Sequence, residues 1–266
     1  MCGISILIGV NTPAADDDPL TESEAHAWKM AGLAHQAGYQ DIRLLLGPRA
    51  TRETVRGAIA SAACGLSPGD TLLVAYSGHG SMIPDRASGV ANSFVETWCL
   101  ADGDLTDDEL AARWRLAPAG ARIVLVSESC FGGGMGRGRI APSRVVANAS
   151  SNPPVRPEVK PLTPPESCIA RAPLHDNGIA ASVLILAAAG ERRRAREGLY
   201  IRSLLTVWRD GAFRGSYCEL HRQVRDRVRA KALRNDPQIL MAGSPDLQFP
   251  LAPAFHLRES PTEKHG

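Results

Sequence analysis

In the first half of the chain lies Thr71-Leu-Leu-Val-Ala-Tyr-Ser-Gly-His-Gly80, an aliphatic run followed by Gly-His-Gly. A second run, Arg122-Ile-Val-Leu-Val-Ser-Glu-Ser-Cys-Phe-Gly132, leads into a cysteine. Apolar runs of this length are typical of buried parallel strands, and open α/β sheets bind ligands beyond the carboxyl ends of such strands. The two runs therefore predict a parallel sheet that carries His79 and Cys130 at one edge.

Strand-like and helix-like segments alternate around these runs, which favours βαβ units and a mostly parallel sheet. Right-handed crossovers should bring the strands that end near His79 and Cys130 side by side. Between them we expect a loop through Pro84 and Gly89, then a short apolar piece at 98–100. Capping-box patterns at Thr21 and Thr106 predict where two helices begin. The other predicted strands are 4–10, 41–46, 180–189 and 238–241, and the predicted helices are 21–38, 51–64, 106–114, 199–209 and 216–233.

The chain of 266 residues is long enough for one large α/β domain or two small ones. Its 30 basic and 28 acidic side chains leave a net charge of +2, so no overall field favours nucleic acid or an anionic membrane. The six cysteines are scattered, without the spacing of a zinc site, which favours a reducing compartment. The apolar run at 4–10 is too short for a signal peptide. We expect a cytoplasmic protein without a membrane span.

His79 and Cys130 have the side chains of a thiolate-imidazole nucleophile. A neighbouring imidazole accepts the thiol proton, stabilises the thiolate and can return the proton to a leaving amine. The backbone N–H groups of Gly80 and Cys130 are candidate donors to the oxyanion that forms when an amide is attacked. The pair therefore indicates acyl transfer.

Four motifs make the chain similar to a known family: Tyr76-Ser-Gly-His-Gly-Ser-Met-Ile-Pro-Asp85, Glu96-Thr-Trp-Cys-Leu-Ala-Asp-Gly103, Asp107-Asp-Glu-Leu110 and Ser127-Glu-Ser-Cys-Phe-Gly132. Their order and spacing resemble the bacterial metacaspase and orthocaspase-like branch of the caspase-like cysteine peptidases, with a weaker likeness through Gly198-Leu-Tyr200. Caspases also carry their histidine about 50 residues before the cysteine.

The resemblance implies an α/β fold, a caspase-like three-layer α/β/α sandwich around a mostly parallel sheet of about six strands. It implies a cysteine endopeptidase that acts on protein substrates, with His79 as general base and acid and Cys130 as nucleophile. We expect a single domain over 1–266, with a large-subunit-like portion at 1–136, a linker at 137–175 and a small-subunit-like portion at 176–266.

Metacaspases cut after Arg or Lys because an acidic side chain two residues before the catalytic cysteine lies in the pocket for the P1 residue. Glu128 stands at that position, where the family usually has Asp. A second family Asp, on the first helix, falls near His26, with Glu24 as a candidate substitute. The resemblance thus implies substrate binding by Glu128, His26 and Glu24.

Calcium-dependent relatives use a ring of Asp residues. Asp107 and Asp108 match two of them, whereas Val95 and Arg137 stand at two others. We therefore expect no calcium dependence, no other metal and no cofactor.

The segment from Gly132 to about Pro173, which contains most of the linker, is rich in Gly, Pro and Arg and poor in large apolar groups. It therefore cannot offset the entropy of ordering itself. Relatives are often cut between their large and small portions. We hypothesise a zymogen, activated by linker cleavage or by a regulatory protein, that serves regulated proteolysis, stress response or antiviral defence. The candidate processing sites are Arg137, Arg139, Arg144, Arg156, Lys160 and Arg171.

Two alternatives remain open. Phe131 replaces the usual family His after the catalytic cysteine, and the first-helix Asp is missing, which would also suit a catalytically inactive caspase-fold adaptor. Arginine clusters at 191–196 and 221–234 would suit nucleic-acid binding. Solvated faces explain these clusters better, because no aromatic side chains are interleaved with them.

Overall fold

A six-stranded sheet lies at the centre of the computed structural model, which describes residues 1–14, 19–85, 94–130, 178–190, 195–244 and 246–257. The strands are β1 (Gly3–Gly9), β2 (Asp41–Leu46), β3 (Thr71–Ser77), β4 (Gly80–Pro84), β5 (Phe94–Leu100), β6 (Gly103–Thr106), β7 (Arg122–Glu128), β8 (Ser182–Ala187) and β9 (Gln238–Gly243). The helices are α1 (Ser23–Gln36), α2 (Arg52–Cys64), α3 (Asp107–Trp114), α4 (Leu199–Trp208) and α5 (Tyr217–Lys231).

The central sheet has the order β2-β1-β3-β7-β8-β9. All neighbouring pairs are parallel except β8 and β9, which are antiparallel. Because β3 and β7 are adjacent, the two sequence runs that lead to His79 and Cys130 do lie side by side. The predicted mostly parallel sheet of about six strands is confirmed.

Helices cover both faces of this sheet. Successive side chains of a strand point to opposite faces, so Leu73 and Ala75 pack with α1, α4 and α5, whereas Leu72, Val74 and Tyr76 pack with α2 and α3. Continuous apolar runs are needed because both faces are buried. The predicted three-layer α/β/α sandwich is confirmed.

A second, three-stranded antiparallel sheet contradicts the predicted loop after Gly80. Strands β4, β5 and β6 pair in that order, with Gly80 opposite Trp98. The strand β4 begins with Gly and ends with Pro, which are both poor strand formers, so it carries no strand signal of its own. Its pairing with β5 supplies the stability that the local sequence lacks.

The start of α1 also differs from the prediction. The N-cap residue is Glu22, without a side-chain capping bond, and the predicted capping box at Thr21 is wrong. The carboxylate of Glu197 accepts hydrogen bonds from the backbone N–H groups of Thr21 and Glu22, at 2.8 and 3.2 Å. A distant acidic side chain therefore replaces the local cap. At α3 the predicted box of Thr106 and Glu109 is present.

The predicted linker at 137–175 and its six candidate processing sites lie outside the described residues, so the division into two portions stays a prediction. Within the described residues, no helix combines the length and the apolarity needed to cross a bilayer.

Candidate active site

The carboxyl ends of β3 and β7 form the edge of the sheet at which the predicted dyad lies. Ser77 pairs with Glu128, so His79 and Cys130 each follow a paired residue by two positions. The N–H of Gly78 donates to the carbonyl oxygen of Glu128 at 3.3 Å. The backbone of the Gly-His-Gly turn therefore runs directly against the segment that carries the cysteine.

Both dyad residues are partly exposed. The Sγ of Cys130 lies 3.8 Å from the carbonyl oxygen of Ala195, within reach of a weak S–H hydrogen bond. The carbonyl oxygen of His79 accepts hydrogen bonds from the N–H of Cys99, at 3.0 Å, and from the hydroxyl of Tyr76. The main chain of His79 is thus fixed by two hydrogen bonds.

Close packing of Gly80 on Cys130 links the two motifs. A Cβ atom at residue 80 would overlap the carbonyl oxygen of Cys130, and it would also press on its carbonyl carbon and on the Cβ of Ser129, each at 3.1 Å. Backbone atoms cannot swing away as a flexible side chain can. Glycine is therefore required here for the histidine turn to approach the cysteine.

We expect Gly80→Ala to lower kcat/KM for a cleaved peptide by about tenfold to a hundredfold, since displacements near 1 Å cost rates of that order. A steady-state assay with a fluorogenic peptide measures this. Gly57→Ala is the matched control, because a Cβ at this α2 position meets nothing within 4 Å. Equal activity of the two variants would show that the contact of Gly80 with Cys130 is dispensable.

A buried aromatic network supports the same edge. The Tyr76 hydroxyl donates to the carbonyl oxygens of His79, at 2.7 Å, and Cys99, at 3.0 Å. The ring of Tyr76 stacks on Trp98, with centroids 4.5 Å apart, and the indole N–H of Trp98 donates to Ser127 Oγ at 3.1 Å. The network joins the histidine turn to β7, which makes Tyr76 a positioning residue.

We expect Tyr76→Phe to lower kcat about threefold to tenfold with little change in KM, because it releases the His79 carbonyl without touching a substrate site. Steady-state kinetics separates the two constants. Tyr39→Phe is the matched control, since the buried Tyr39 hydroxyl has no hydrogen-bond partner among the described residues. Loss of activity in Tyr39→Phe alone would contradict the assignment.

Glu128 is the buried carboxylate of this edge, with an exposure of only 4%. Its Oε1 accepts hydrogen bonds from the backbone N–H groups of Tyr200, at 2.8 Å, and Ile201, at 3.1 Å. Both N–H groups belong to the first turn of α4, whose N-cap is Gly198 and has no capping side chain. Glu128 therefore caps α4 across the fold, and its charge suits the positive end of the helix dipole.

The second predicted pocket residue, His26, lies against Glu128. Its Nδ1 is 3.4 Å from Glu128 Oε2 and 3.4 Å from the Oγ of Ser77. His26 is fully buried on α1. Neither Glu128 Oε2 nor His26 Nε2 has a hydrogen-bond partner among the described residues. The pair therefore lies beside the dyad strands in close contact, but without a hydrogen bond at either of these two atoms.

Burial disfavours the charged form of both groups. It raises the pKa of Glu128 to about 7, although the two hydrogen bonds from α4 act in the opposite direction. Burial likewise lowers the pKa of His26, and the Glu22 carboxylate opposes that shift. Near neutral pH, His26 is therefore uncharged and Glu128 is close to its titration midpoint.

The structure does not bring Glu24 to this pair. Its carboxylate lies beside Gly47, 3.1 Å from the position of a Cβ there, where the chain leaves β2. Strands β1 and β3 separate β2 from β7. The nearby acidic side chain is Glu22, whose Oε2 lies 3.7 Å from His26 Nε2. Sequence reasoning missed Glu22 because it treated this residue as an interior position of a capping box.

The fold and this edge define a caspase-like cysteine peptidase family: a mostly parallel sheet with a histidine turn and a cysteine at adjacent strand ends. The family model described as Caspase domain matches residues 2–247. The chain belongs to this family.

Metacaspase-7 and Metacaspase-4 from Arabidopsis thaliana are similar to this chain. The first is 27% identical over 142 residues, 49% of this chain and 35% of the relative, and the second is 27% identical over 140 residues, 49% and 34%. The chain spans about a third of the length of these curated relatives.

Two solved structures are similar over most of the chain. Protein GSU0716 from Geobacter sulfurreducens has a TM-score of 0.73 at 26% identity, covering 97% of this chain and 100% of that one. Caspase-1 from Spodoptera frugiperda has a TM-score of 0.55 at 12% identity, covering 91% and 86%, and shares the fold.

Proposed function

We propose that this chain is a caspase-like cysteine endopeptidase that hydrolyses peptide bonds in protein substrates through His79 and Cys130. The observation that supports this proposal most directly is the register of β3 and β7, in which the Gly-His-Gly turn lies against the cysteine segment. The chain also belongs to the caspase-domain family. The family membership supplies the reaction class, and the register supplies the pair of groups that could perform it.

The proposed reaction uses these two groups in sequence. His79 takes the proton of Cys130, and the thiolate attacks the carbonyl carbon of the scissile amide. The N–H groups of Gly80 and Cys130 stabilise the resulting oxyanion. When the C–N bond breaks, His79 gives its proton to the leaving amine, and a water molecule then hydrolyses the thioester with His79 as base. The close approach of Gly80 to Cys130 supports this assignment because it brings the two backbone segments that carry the proposed donors together.

Arg or Lys is the proposed P1 residue. Glu128 lies two residues before the proposed nucleophile, and its Oε2 has no hydrogen-bond partner among the described residues. A hydrogen bond from a cationic donor to this oxygen would be strong, because the carboxylate is buried in a site of low dielectric constant. His26 would line the same pocket as a neutral ring.

Regulation by linker cleavage, or by a regulatory protein, is part of the proposal. The basic residues of 137–175 would be substrates of an enzyme with this P1 preference, whether the enzyme is this chain or an upstream protease. The cytoplasmic setting, the role in stress or antiviral defence and the independence from calcium and other cofactors stay predictions.

The testing experiment combines a peptide panel with a covalent probe. Fluorogenic peptides ending in Arg, Lys, Asp or Leu are incubated with the intact chain and with the chain after linker cleavage. A peptidyl-arginine acyloxymethyl ketone is then used to label the protein, and mass spectrometry locates the adduct. We expect hydrolysis of the Arg and Lys peptides and an adduct on Cys130. Hydrolysis of none, with no adduct in either form, would contradict the proposal.

A catalytically inactive adaptor is the second candidate. It is favoured by one observation: the carboxylate of Glu128 already serves as the cap of α4, so its burial has a purely structural use. An adaptor would show equal, negligible rates for the wild type and Cys130→Ala on every peptide, even after linker cleavage.

A further inference from the structure

Four side chains form a continuous line from the buried edge of the sheet to solvent. Glu128 Oε2 lies 3.4 Å from His26 Nδ1, and His26 Nε2 lies 3.7 Å from Glu22 Oε2. The carboxylate of Glu22 in turn accepts a hydrogen bond from the guanidinium of Arg202, on α4. The line therefore ends in a cation that belongs to the protein itself.

The outer two members are accessible. The side chains of Glu22 and Arg202 are 42% and 46% exposed, whereas those of His26 and Glu128 are 1% and 3% exposed. An entering ligand would meet the ion pair first and the buried groups behind it. A ligand that replaced Arg202 at Glu22 would then approach Nε2 of His26, which makes no hydrogen bond within the described residues.

The position of Glu22 is built by contacts from the α4 side. Glu197 holds the backbone N–H groups at the start of α1, and Arg202 also donates to the carbonyl oxygen of Glu197 at 3.4 Å. Gly198 has a φ of +66°, and a Cβ there would overlap Glu22 Oε2 and lie 2.7 Å from the Cε1 of His26. The glycine leaves the space that both side chains use.

The charges around this space favour a cation. Glu22, Glu128 and Glu197 are acidic, and Arg202 pairs with Glu22. Burial lowers the pKa of His26, and the charges of Lys29 and Arg202 lower it further. Removing Arg202 leaves the three acidic groups in excess over Lys29. A cationic ligand would restore the balance.

We propose that Glu22 is the outer carboxylate of the P1 pocket and that Arg202 occupies it as an internal cation until the P1 side chain of a substrate displaces it. This inference rests on the proposed peptidase function. Arg202 is then a specificity-determining residue that weakens the binding of Arg and Lys, and Glu22 is the group that both cations share. An exposed ion pair is worth little, so the competition should change affinity about twofold to fivefold.

Steady-state kinetics with matched Arg, Lys and citrulline peptides tests the pair. Citrulline has the shape of arginine without its charge. We expect Arg202→Gln to lower KM for Arg and Lys peptides about twofold to fivefold with kcat unchanged, and Glu22→Gln to raise it by at least as much. Both variants should change KM less for the citrulline peptide than for the Arg peptide, because citrulline carries no charge for Glu22 to bind. Arg227→Gln, an exposed position on α5, and Glu53→Gln, an exposed position on α2, are the charge-matched controls.

Three outcomes would overturn the inference. Unchanged KM in both variants, with normal cleavage by the wild type, would remove the pair from the pocket and leave the peptidase proposal standing. Equal shifts of KM in the control variants would also remove the pair from the pocket, since any surface charge would then have the same effect. Cleavage after Asp by the wild type, lost in Arg202→Gln, would make Arg202 a ligand of an acidic P1 residue instead.

A binding measurement separates failure of this inference from failure of the proposed function. Nα-acetyl-arginine amide is titrated by calorimetry into Cys130→Ala, alone and combined with each pocket substitution. We expect the dissociation constant to fall about twofold to fivefold with Arg202→Gln and to rise with Glu22→Gln. That pattern without hydrolysis by the wild type would uphold the pocket and reject the peptidase, whereas equal constants in all three proteins would reject the pocket.

Discussion

Cys130→Ala and His79→Ala are each expected to abolish peptide hydrolysis while leaving the fold intact. The first variant removes the only protein atom in the proposed mechanism that bonds to the substrate, and the second removes the base that takes the proton of the nucleophile. Groups that act as one unit are strongly non-additive, so the double variant should be no slower than either single variant. We expect losses of roughly 10⁴-fold or more in kcat in all three proteins.

The controls for this experiment are a remote thiol and a fold measurement. Cys64 is an exposed free cysteine at the end of α2, and Cys64→Ala should keep wild-type activity. Circular dichroism and urea unfolding should give unchanged curves, because His79 and Cys130 are only partly buried. Wild-type turnover by Cys130→Ala would assign the chemistry to another group and end the peptidase proposal.

The convergence of the two motifs could be predicted because it depends on local signals and a chirality rule. The runs before His79 and Cys130 are long and apolar, as strands buried on both faces must be. Right-handed crossovers then leave few arrangements for such strands. Helical periodicity likewise predicted the buried face of α2, where Val55 and Ile59 lie in the core.

The three-stranded sheet could not be predicted in this way. Strand β4 has a glycine first and a proline last, and its residues are mostly half-buried. Its stability comes from pairing with β5, in which Trp98 stands opposite Gly80. The conformation of such a segment depends on a strand outside its own local sequence pattern, so the β-propensity of its own residues does not predict it.

Glu128 and His26 were predicted to share a pocket and do lie together, but the acidic residue beside them escaped prediction for a related reason. Glu197, which is far from α1 in sequence, accepts a hydrogen bond from the backbone just before α1. Glu128, at the end of β7, accepts one from the first turn of α4. Capping patterns are read within four residues, so they cannot report a cap supplied by the tertiary fold. As a result Glu24 was predicted beside Glu128 and His26, whereas Glu22 is the acidic side chain that lies against His26.

Glu128→Gln is expected to stabilise the protein at neutral and alkaline pH by about 3 kcal/mol relative to its effect at pH 4.5. The pKa of Glu128 is raised by burial to about 7, against 4.5 for an ordinary glutamate. A carboxyl with a raised pKa contributes stability that is fully present below pH 4.5 and is lost as pH rises through about 7. Glutamine does not titrate, and its amide oxygen can keep the hydrogen bonds to α4. The difference between the two proteins should therefore grow over that window, by about 1.4 kcal/mol per pH unit at most.

Urea unfolding between about pH 4.5 and 8.5 measures this difference. The pH dependence that His26 contributes to stability has the opposite sign, because its lowered pKa costs stability as pH falls below 6.5. His26 is present in both proteins. Glu219→Gln is the matched control, since Glu219 also caps a helix but is exposed and has a lowered pKa. That variant should gain no stability as pH rises. A pH-independent difference for Glu128→Gln would mean that Glu128 ionises in the folded protein as it does in the unfolded chain.

The ionisation of Glu128 should also affect the preference of the protein for a charged P1 side chain. A P1 cation placed at Glu128 Oε2 favours the ionised carboxylate, so its binding lowers the pKa of Glu128 from about 7 and releases a proton below that pH. The ratio of kcat/KM for Arg over citrulline peptides should therefore rise between about pH 6 and 8 in the wild type and stay flat in Glu128→Gln. Because both peptides use the same dyad, the contribution of the dyad cancels in the ratio. A flat ratio in both proteins would leave Glu128 as the cap of α4 and place the P1 carboxylate elsewhere.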